Sequence, residues 1–204
     1  DGNAAIVLAG PATALVRLLD LNGSRPLIVA KVKYLVVAAG AFPAGPADVS
    51  VASDVSAARR LFAEWPTPVI AVGTEVGRAL GYPGASIEKD LAWSPAHPVG
   101  AAYRARERMP YDAPTSALAA VLHAVHPDGG YFKLSQPGVI SVLADGQTRL
   151  TPSKDGKSSY LIADPTQNER LSSLYTALVS AQPAPRPVKR KRDVAVLPAE
   201  PAAP

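Results

Sequence analysis

The chain has no cysteine, one methionine and only three histidines in 204 residues. Without cysteine there is neither a disulfide nor a thiolate metal site, although that leaves the compartment open. His97, His123 and His126 do not fall at a metal-ligand spacing. His97, before Pro98, reads as a loop residue, and the other two as packing or helix-end residues. No apolar run approaches the roughly 20 residues that a membrane-spanning helix needs. The first residue is Asp1 rather than Met, and no signal-like stretch precedes the first apolar run. The expectation is a chain whose beginning is missing. A strong charge of one sign is lacking as well. The formal net charge is +4, but Arg186, Lys189, Arg190, Lys191 and Arg192 against Asp193 and Glu200 put +3 of it into residues 183–204, which leaves +1 on the body. A nearly neutral body argues against a nucleic-acid-binding surface on the fold. The one short basic run reads as a solvated tail rather than as a targeting signal or a nucleic-acid attachment.

Hydrophobic residues make up 48% of the chain, enough for a sizeable core. The length fits one α/β domain over 1–182, followed by a Pro/Ala-rich basic tail over 183–204 that is expected to be disordered. Ala4-Ala-Ile-Val-Leu-Ala9 is a short apolar run ending at Gly10-Pro11 and reads as a buried strand. Leu15, Leu18 and Leu19 space a helix over 12–20, stopped by Asn22-Gly23. A second buried strand covers 33–38. A long Gly-, Ala- and Pro-rich loop follows it, carrying Asp48 and Ser50 and closing at Asp54, placed to cap the next helix. That helix has Ala58, Leu61, Phe62 and Trp65 at helical spacing, and Pro66 ends it. Pro68–Val72 is a third strand, before Gly73-Thr74-Glu75. Two β-helix-β units of this length imply a parallel sheet with right-handed crossovers. Ligands in such sheets bind beyond the carboxyl ends of the strands, so the loop after the second strand is the place to look for function.

Further on, helices are expected at about 98–109 and 114–125, the second buried along Leu118, Val121, Leu122 and Val125. From Gly138 the pattern alternates over Val139–Leu143, Thr148–Thr151 and Ser159–Ile162, with Asp145-Gly146 and Asp155-Gly156 between them. This predicts a three-stranded antiparallel meander. Asp164-Pro165-Thr166-Gln167 is a helix start, and Leu171, Leu174, Tyr175, Leu178 and Val179 make the buried face of a final helix. The predicted fold is thus an open, mostly parallel Rossmann-like sheet flanked by helices, with the meander and the last helix at the C-terminal end.

The order of motifs resembles the central part of the inosine-uridine preferring nucleoside hydrolases. The residues that carry the resemblance are Gly10-Pro11-Ala12-Thr13, Ala39-Gly40-Ala41-Phe42, Asp48-Val49-Ser50 and Asp54-Val55-Ser56-Ala57-Ala58. Tyr111-Asp112-Ala113-Pro114-Thr115 stands where the family has a His-Asp pair opening a buried helix. Glu64–Val69, His97-Pro98-Val99 and the segment after Tyr131-Phe132 are similar to a bacterial branch of the superfamily. The resemblance covers roughly 4–181 and rests on order and spacing rather than on one diagnostic motif.

The resemblance implies hydrolysis of the N-glycosidic bond of a ribonucleoside by a calcium-bound water. It implies Asp112 and the backbone carbonyl of Ala9 as calcium ligands, Asp48 and Ser50 as ribose-hydroxyl contacts, and Tyr111 as substrate contact and candidate catalytic residue in place of the family's His, which contacts the substrate and is a candidate acid for the leaving base. A hard cation with oxygen ligands suits that chemistry. Each of these residues also has a plain structural reading: Asp112 as a helix N-cap, Ala9 as a strand end, Asp48 and Ser50 as turn formers, and Tyr111 as a packing aromatic. Glu75 reads as a helix-start carboxylate satisfying backbone donors. The family's catalytic aspartate cluster would precede Asp1, and the Gly-Asn of its loop is replaced by Gly45-Pro46. The chain alone is therefore expected to be inactive, with no catalytic base of its own. The alternatives are a non-catalytic nucleoside- or sugar-binding relative and a structural subunit. The expected partner is a ribonucleoside or related small molecule, with no nucleic acid and no membrane. A homo-oligomer, and a cytoplasmic or an exported location, all remain open.

Overall fold

The computed structural model describes residues 2–183. The chain forms, in order, β1 (Ala4–Leu8), α1 (Thr13–Asp20), α2 (Ser24–Lys31), β2 (Val32–Val37), β3 (Ala44–Gly45), α3 (Val49–Ala52), α4 (Val55–Glu64), β4 (Val69–Ala71), α5 (Thr74–Ala79), β5 (Gly81–Tyr82), α6 (Gly84–Lys89) and α7 (Pro98–Arg106). These are followed by β6 (Ala113–Pro114), α8 (Ser116–Val125), β7 (Phe132–Leu134), β8 (Gly138–Val142), β9 (Thr148–Pro152), β10 (Ser158–Ala163), a 3-10 turn (Pro165–Gln167) and α9 (Asn168–Ser180). Eight strands form one mixed sheet in the order β1-β2-β4-β10-β8-β9-β3, with β7 beside β10. The first four strands of that order run parallel.

β2 shows how the middle of this half is buried on both faces, whereas β1, expected to be a buried strand, has Ala4 and Ala5 exposed and Ile6, Val7 and Leu8 only half-buried, because it is the outermost strand among the described residues. Leu35 and Val37 point into one apolar layer with Val16, Leu19, Leu61 and Phe62, whereas Tyr34 and Val36 point into another with Val76, Ala119 and Ala120. The period of two thus feeds two helical layers, α1 and α4 on one side, α5 and α8 on the other. Full burial of a side chain such as Leu35, which is wholly enclosed, stabilises the fold by about 1.5–3 kcal/mol. Asp54 caps α4 as expected: its Oδ1 accepts from the Ala57 N–H at 2.9 Å.

The last three strands are present and antiparallel, but their order is not that of a simple meander. β9 does not neighbour β10; β10 lies between β4 and β8, pairing parallel with β4 at Ser158–Tyr160 and antiparallel with β7. The central place in the sheet gives Leu161 complete burial, which a place at the end of a meander would not. Two helices also differ from expectation. α8 turns Ala119, Ala120 and Ala124 to the sheet, because small residues let the helix approach closely, and Val121 and Val125 are left 49% and 64% exposed. On α9, Leu171 and Tyr175 are buried but Leu178 is 62% exposed. α2 has no counterpart in the apolar spacing: only Ser24 and Ile28 of its eight residues are buried. The expected tail lies outside the described residues, apart from Pro183.

Candidate functional site

The carboxyl ends of β1, β2 and β4 share one edge of the sheet, and three connections leave from it. The longest follows β2 and is held by side chains distant in sequence. Gly40 turns it with φ +87, a conformation that favours glycine, and a Cβ there would meet Thr148 Oγ1 at 2.8 Å. Thr148 Oγ1 donates to the Ala41 carbonyl at 3.0 Å and accepts from the Ala41 N–H at 2.9 Å. The Phe42 N–H donates to Glu75 Oε2 at 3.2 Å, and the Phe42 ring stacks on Tyr160 at 5.3 Å. Ala44 and Gly45 then pair with Arg149 and Thr148 of β9. The loop is therefore an ordered ledge rather than a loose connection.

Asp48 and Ser50 stand at the far end of this ledge. Asp48 caps α3, its Oδ1 accepting from the Val51 N–H at 2.9 Å. Ser50 lies half-buried in the first turn of α3, and its hydroxyl makes no hydrogen bond to the described residues. Asp54 Oδ2 accepts from Thr13 Oγ1 at 2.7 Å, which ties the end of the ledge to the turn after β1. The N–H of Ala57 and the hydroxyl of Thr13 hold the Asp54 carboxyl below the usual carboxylate range. Glu75 completes this side. Its Oε1 is buried with no side-chain or backbone partner from another of the described residues, and burial pushes its carboxyl up, with the nearby Asp48 charge acting in the same direction against the pull of its own N–H, the Phe42 N–H and Arg78. Ala41, Phe42, Gly45, Pro46, Thr74, Glu75 and Arg78 line a shallow cavity of about 450 Å³ at the ledge.

Tyr111 and Asp112 sit elsewhere, among β5, β6, α6 and α7. The Tyr111 ring stacks on Tyr103 at 5.2 Å, and its hydroxyl donates to the Tyr103 carbonyl at 3.1 Å. Asp112 is exposed, and its Oδ1 accepts from the Gly84 N–H at 2.9 Å. It does not cap α8. The β6 residues intervene, and Thr115 takes the cap position. Ala9 is exposed just past β1. Among the described residues, no hydrogen bond or ion pair joins Asp112 to Asp48 or Ser50, and no cluster of three or more His, Cys, Asp or Glu residues could hold a metal ion. Calcium takes about six to eight oxygens. One exposed carboxylate, half committed to Gly84, and one strand-end carbonyl do not fit that shell by themselves.

Sequence reasoning found the ledge, its acidic and hydroxyl residues and the place of Glu75 at a strand end. It missed Thr148, which pins the ledge from β9. Nothing local marks that threonine, since its partner is 107 residues away.

No family model and no curated protein matches the sequence. Solved structures do match in three dimensions. A plant nucleoside hydrolase aligns with 87% of the chain at 21% identity and a TM-score of 0.65. An inosine-uridine preferring nucleoside hydrolase from Bacillus anthracis aligns with 88% at 18% identity and a TM-score of 0.62. A purine-preferring ribonucleoside hydrolase from Gardnerella vaginalis aligns with 88% at 16% identity and a TM-score of 0.64. The chain spans 62%, 61% and 62% of these three structures. Over most of its described length, the chain has the α/β fold of the nucleoside hydrolases.

Proposed function

We propose that these residues are part of a nucleoside-hydrolase-like protein that cleaves the N-glycosidic bond of ribonucleosides to free base and ribose, using a calcium-bound water. The observation that carries this reading is the pinned ledge beyond β2 and β4, with Asp48, Ser50 and Glu75 at the sheet edge where open α/β folds bind ligands. A ribose offers hydroxyl donors. Asp48 retains an oxygen beyond the one used in its cap, and Ser50 has a free hydroxyl, so both have capacity for those donors. Asp112 and the Ala9 carbonyl could contribute at most three oxygens to a calcium shell, so these residues alone would not hold the ion and its water. The 204 residues alone are inactive on this reading, because a base and most of the metal ligands are not among them.

A second reading, a nucleoside-binding relative without catalysis, is favoured by one observation. The Tyr111 hydroxyl already donates to the Tyr103 backbone, which leaves its proton engaged away from any leaving group. The test is to incubate the product of the complete gene, and the 204-residue chain, with inosine and uridine, in calcium and after chelation, and to measure free base. Calcium-dependent release by the complete product, lost in Asp112→Ala and absent from the 204-residue chain, is expected. Binding of either nucleoside without release moves the assignment to the second reading. A folded protein that does neither overturns both.

A further inference from the structure

We infer that the groove between α8 and α9 is a docking site for Val194-Ala195-Val196-Leu197, an apolar run in the sequence that follows α9. This goes beyond the proposed reaction and does not depend on it. α8 and α9 meet through Leu122, Leu171 and Tyr175, which are buried, with Leu118, Leu174 and Val179 packed beside them. Next to that contact lies a cavity of about 350 Å³ lined by Leu118, Val121, Val125, Tyr175, Leu178 and Val179, among others. Val121, Val125 and Leu178 are exposed there. Among the described residues, no carboxylate, lysine or arginine lines it. Single exposed apolar residues are ordinary, but three beside one concavity mark a surface that takes an apolar partner. α8 is also apolar on nearly every side, a pattern that suits a helix enclosed all round. Its alanines meet the sheet, so the groove is the side still without a cover.

The occupant follows from the sequence that leaves the groove. α9 ends at Ser180, next to Val179, so the chain departs from the groove's own wall. Residues 184–204 lie outside the described part, and Val194–Leu197 is their longest stretch without proline or charge. Val194 comes eleven residues after Pro183, a reach of up to roughly 35–40 Å in an extended chain. α9 is only about 20 Å long, so the run can return to any part of the groove. A tether of this length holds it at an effective concentration of about millimolar, so a weak contact suffices, whereas a second copy at micromolar concentration is about a thousandfold more dilute. Charge points the same way. Lys189–Arg192 stand just before the run, and Val125 and His126 line both the groove and a neighbouring hollow that holds the exposed Asp128.

Paramagnetic broadening in the 204-residue chain tests this. The chain has no cysteine, so Ala199→Cys supplies a single thiol, two residues past Leu197, for a nitroxide label. The methyl signals of Val121, Val125 and Leu178 should lose most of their intensity relative to the same sample with the nitroxide reduced. Those of Val16 and Leu61, in the layer on the other face of the sheet, should not. Nearness through the tether alone would broaden the same groove methyls, so the measurement is repeated with Val196→Asp, whose charge resists burial in an apolar groove. Intensity should then return at the groove, and unchanged positions of the Val16 and Leu61 signals show that the variant folds. Broadening that survives Val196→Asp comes from the tether alone and overturns the inference. So does the absence of broadening in the chain that keeps Val196. Mixing nitroxide-bearing chain with isotope-labelled chain that lacks the nitroxide should give no broadening. Broadening in that mixture would put a second copy's segment in the groove and also overturn the inference.

Discussion

Thr148 is 1% exposed, and its single hydroxyl serves both polar backbone groups of Ala41. Thr148→Val keeps the shape and removes both hydrogen bonds. Each backbone group left unpaired in the interior costs about 1–3 kcal/mol, so urea unfolding should show a loss of at least one such increment. A loss near zero would mean that the ledge is held by Phe42 and β3 alone. Glu75 gives the opposite sign. Burial raises its carboxyl, so the folded state binds the proton more tightly than the unfolded chain does. Its favourable contribution is complete below the ordinary carboxylate value and is lost as pH rises through the raised one. Glu75→Gln should therefore unfold at higher urea than the parent at neutral pH and match it in acid; equal or lower stability at neutral pH would refute the assignment. Glu75 was legible as a carboxylate meeting backbone donors, because it opens a helix after a strand. That its donor is Phe42, 33 residues earlier, was not, because the pairing exists only after the ledge folds back.

α4 is an element whose start, face and end were all readable: an Asp cap, four apolar residues at helical spacing, and a proline after it. Leu61 on that face is wholly buried against the sheet. Leu61→Ala should cost about 2–5 kcal/mol, since it removes buried methyl groups and leaves a cavity. A change of about 0.5 kcal/mol or less, the size of an ordinary surface substitution, would mean that α4 does not pack as described. Asp54→Ala should lower the thermal midpoint and Asp54→Asn should largely preserve it, because the amide oxygen can still cap. The sign of the pH effect follows from the depressed Asp54 carboxyl: its contribution is present above the ordinary carboxylate range and fades as pH falls through the lower folded value. α8 shows where element-level reading stops. Its apolar residues surround the helix, and spacing alone cannot say that the alanines, rather than the larger Val121 and Val125, face the sheet. The choice is made by the closeness of the sheet and of α5, where a Cβ on Gly77 would clash with Ser116.

At the scale of the whole molecule, the parallel half of the sheet followed from strand and helix order, since right-handed crossovers leave few alternatives. The placement of β10 did not. Short alternating strands separated by Asp-Gly turns suggest neighbours in sequence order, and only the partly buried Tyr160 and wholly buried Leu161 reveal that β10 is drawn in beside β4. The same scale decides the question of calcium. A ligand that binds only the folded state stabilises it by mass action, about 2.7 kcal/mol at a hundred times its dissociation constant. For a domain of this size that is roughly 5–10 °C in the thermal midpoint. The described residues contain no cluster of three or more ligating side chains, and Asp112 already accepts a hydrogen bond from Gly84. The 204-residue chain should therefore melt at the same temperature in millimolar calcium and in chelator. The product of the complete gene, if its remaining polypeptide supplies the other ligands, should melt higher in calcium, and Asp112→Ala should reduce that difference. Equal calcium shifts in both proteins would place the whole ion site within these residues and refute the division of ligands argued here. The absence of a shift in both would remove calcium from the proposed function and leave the ledge of Asp48 and Ser50 as a binding surface that works without it.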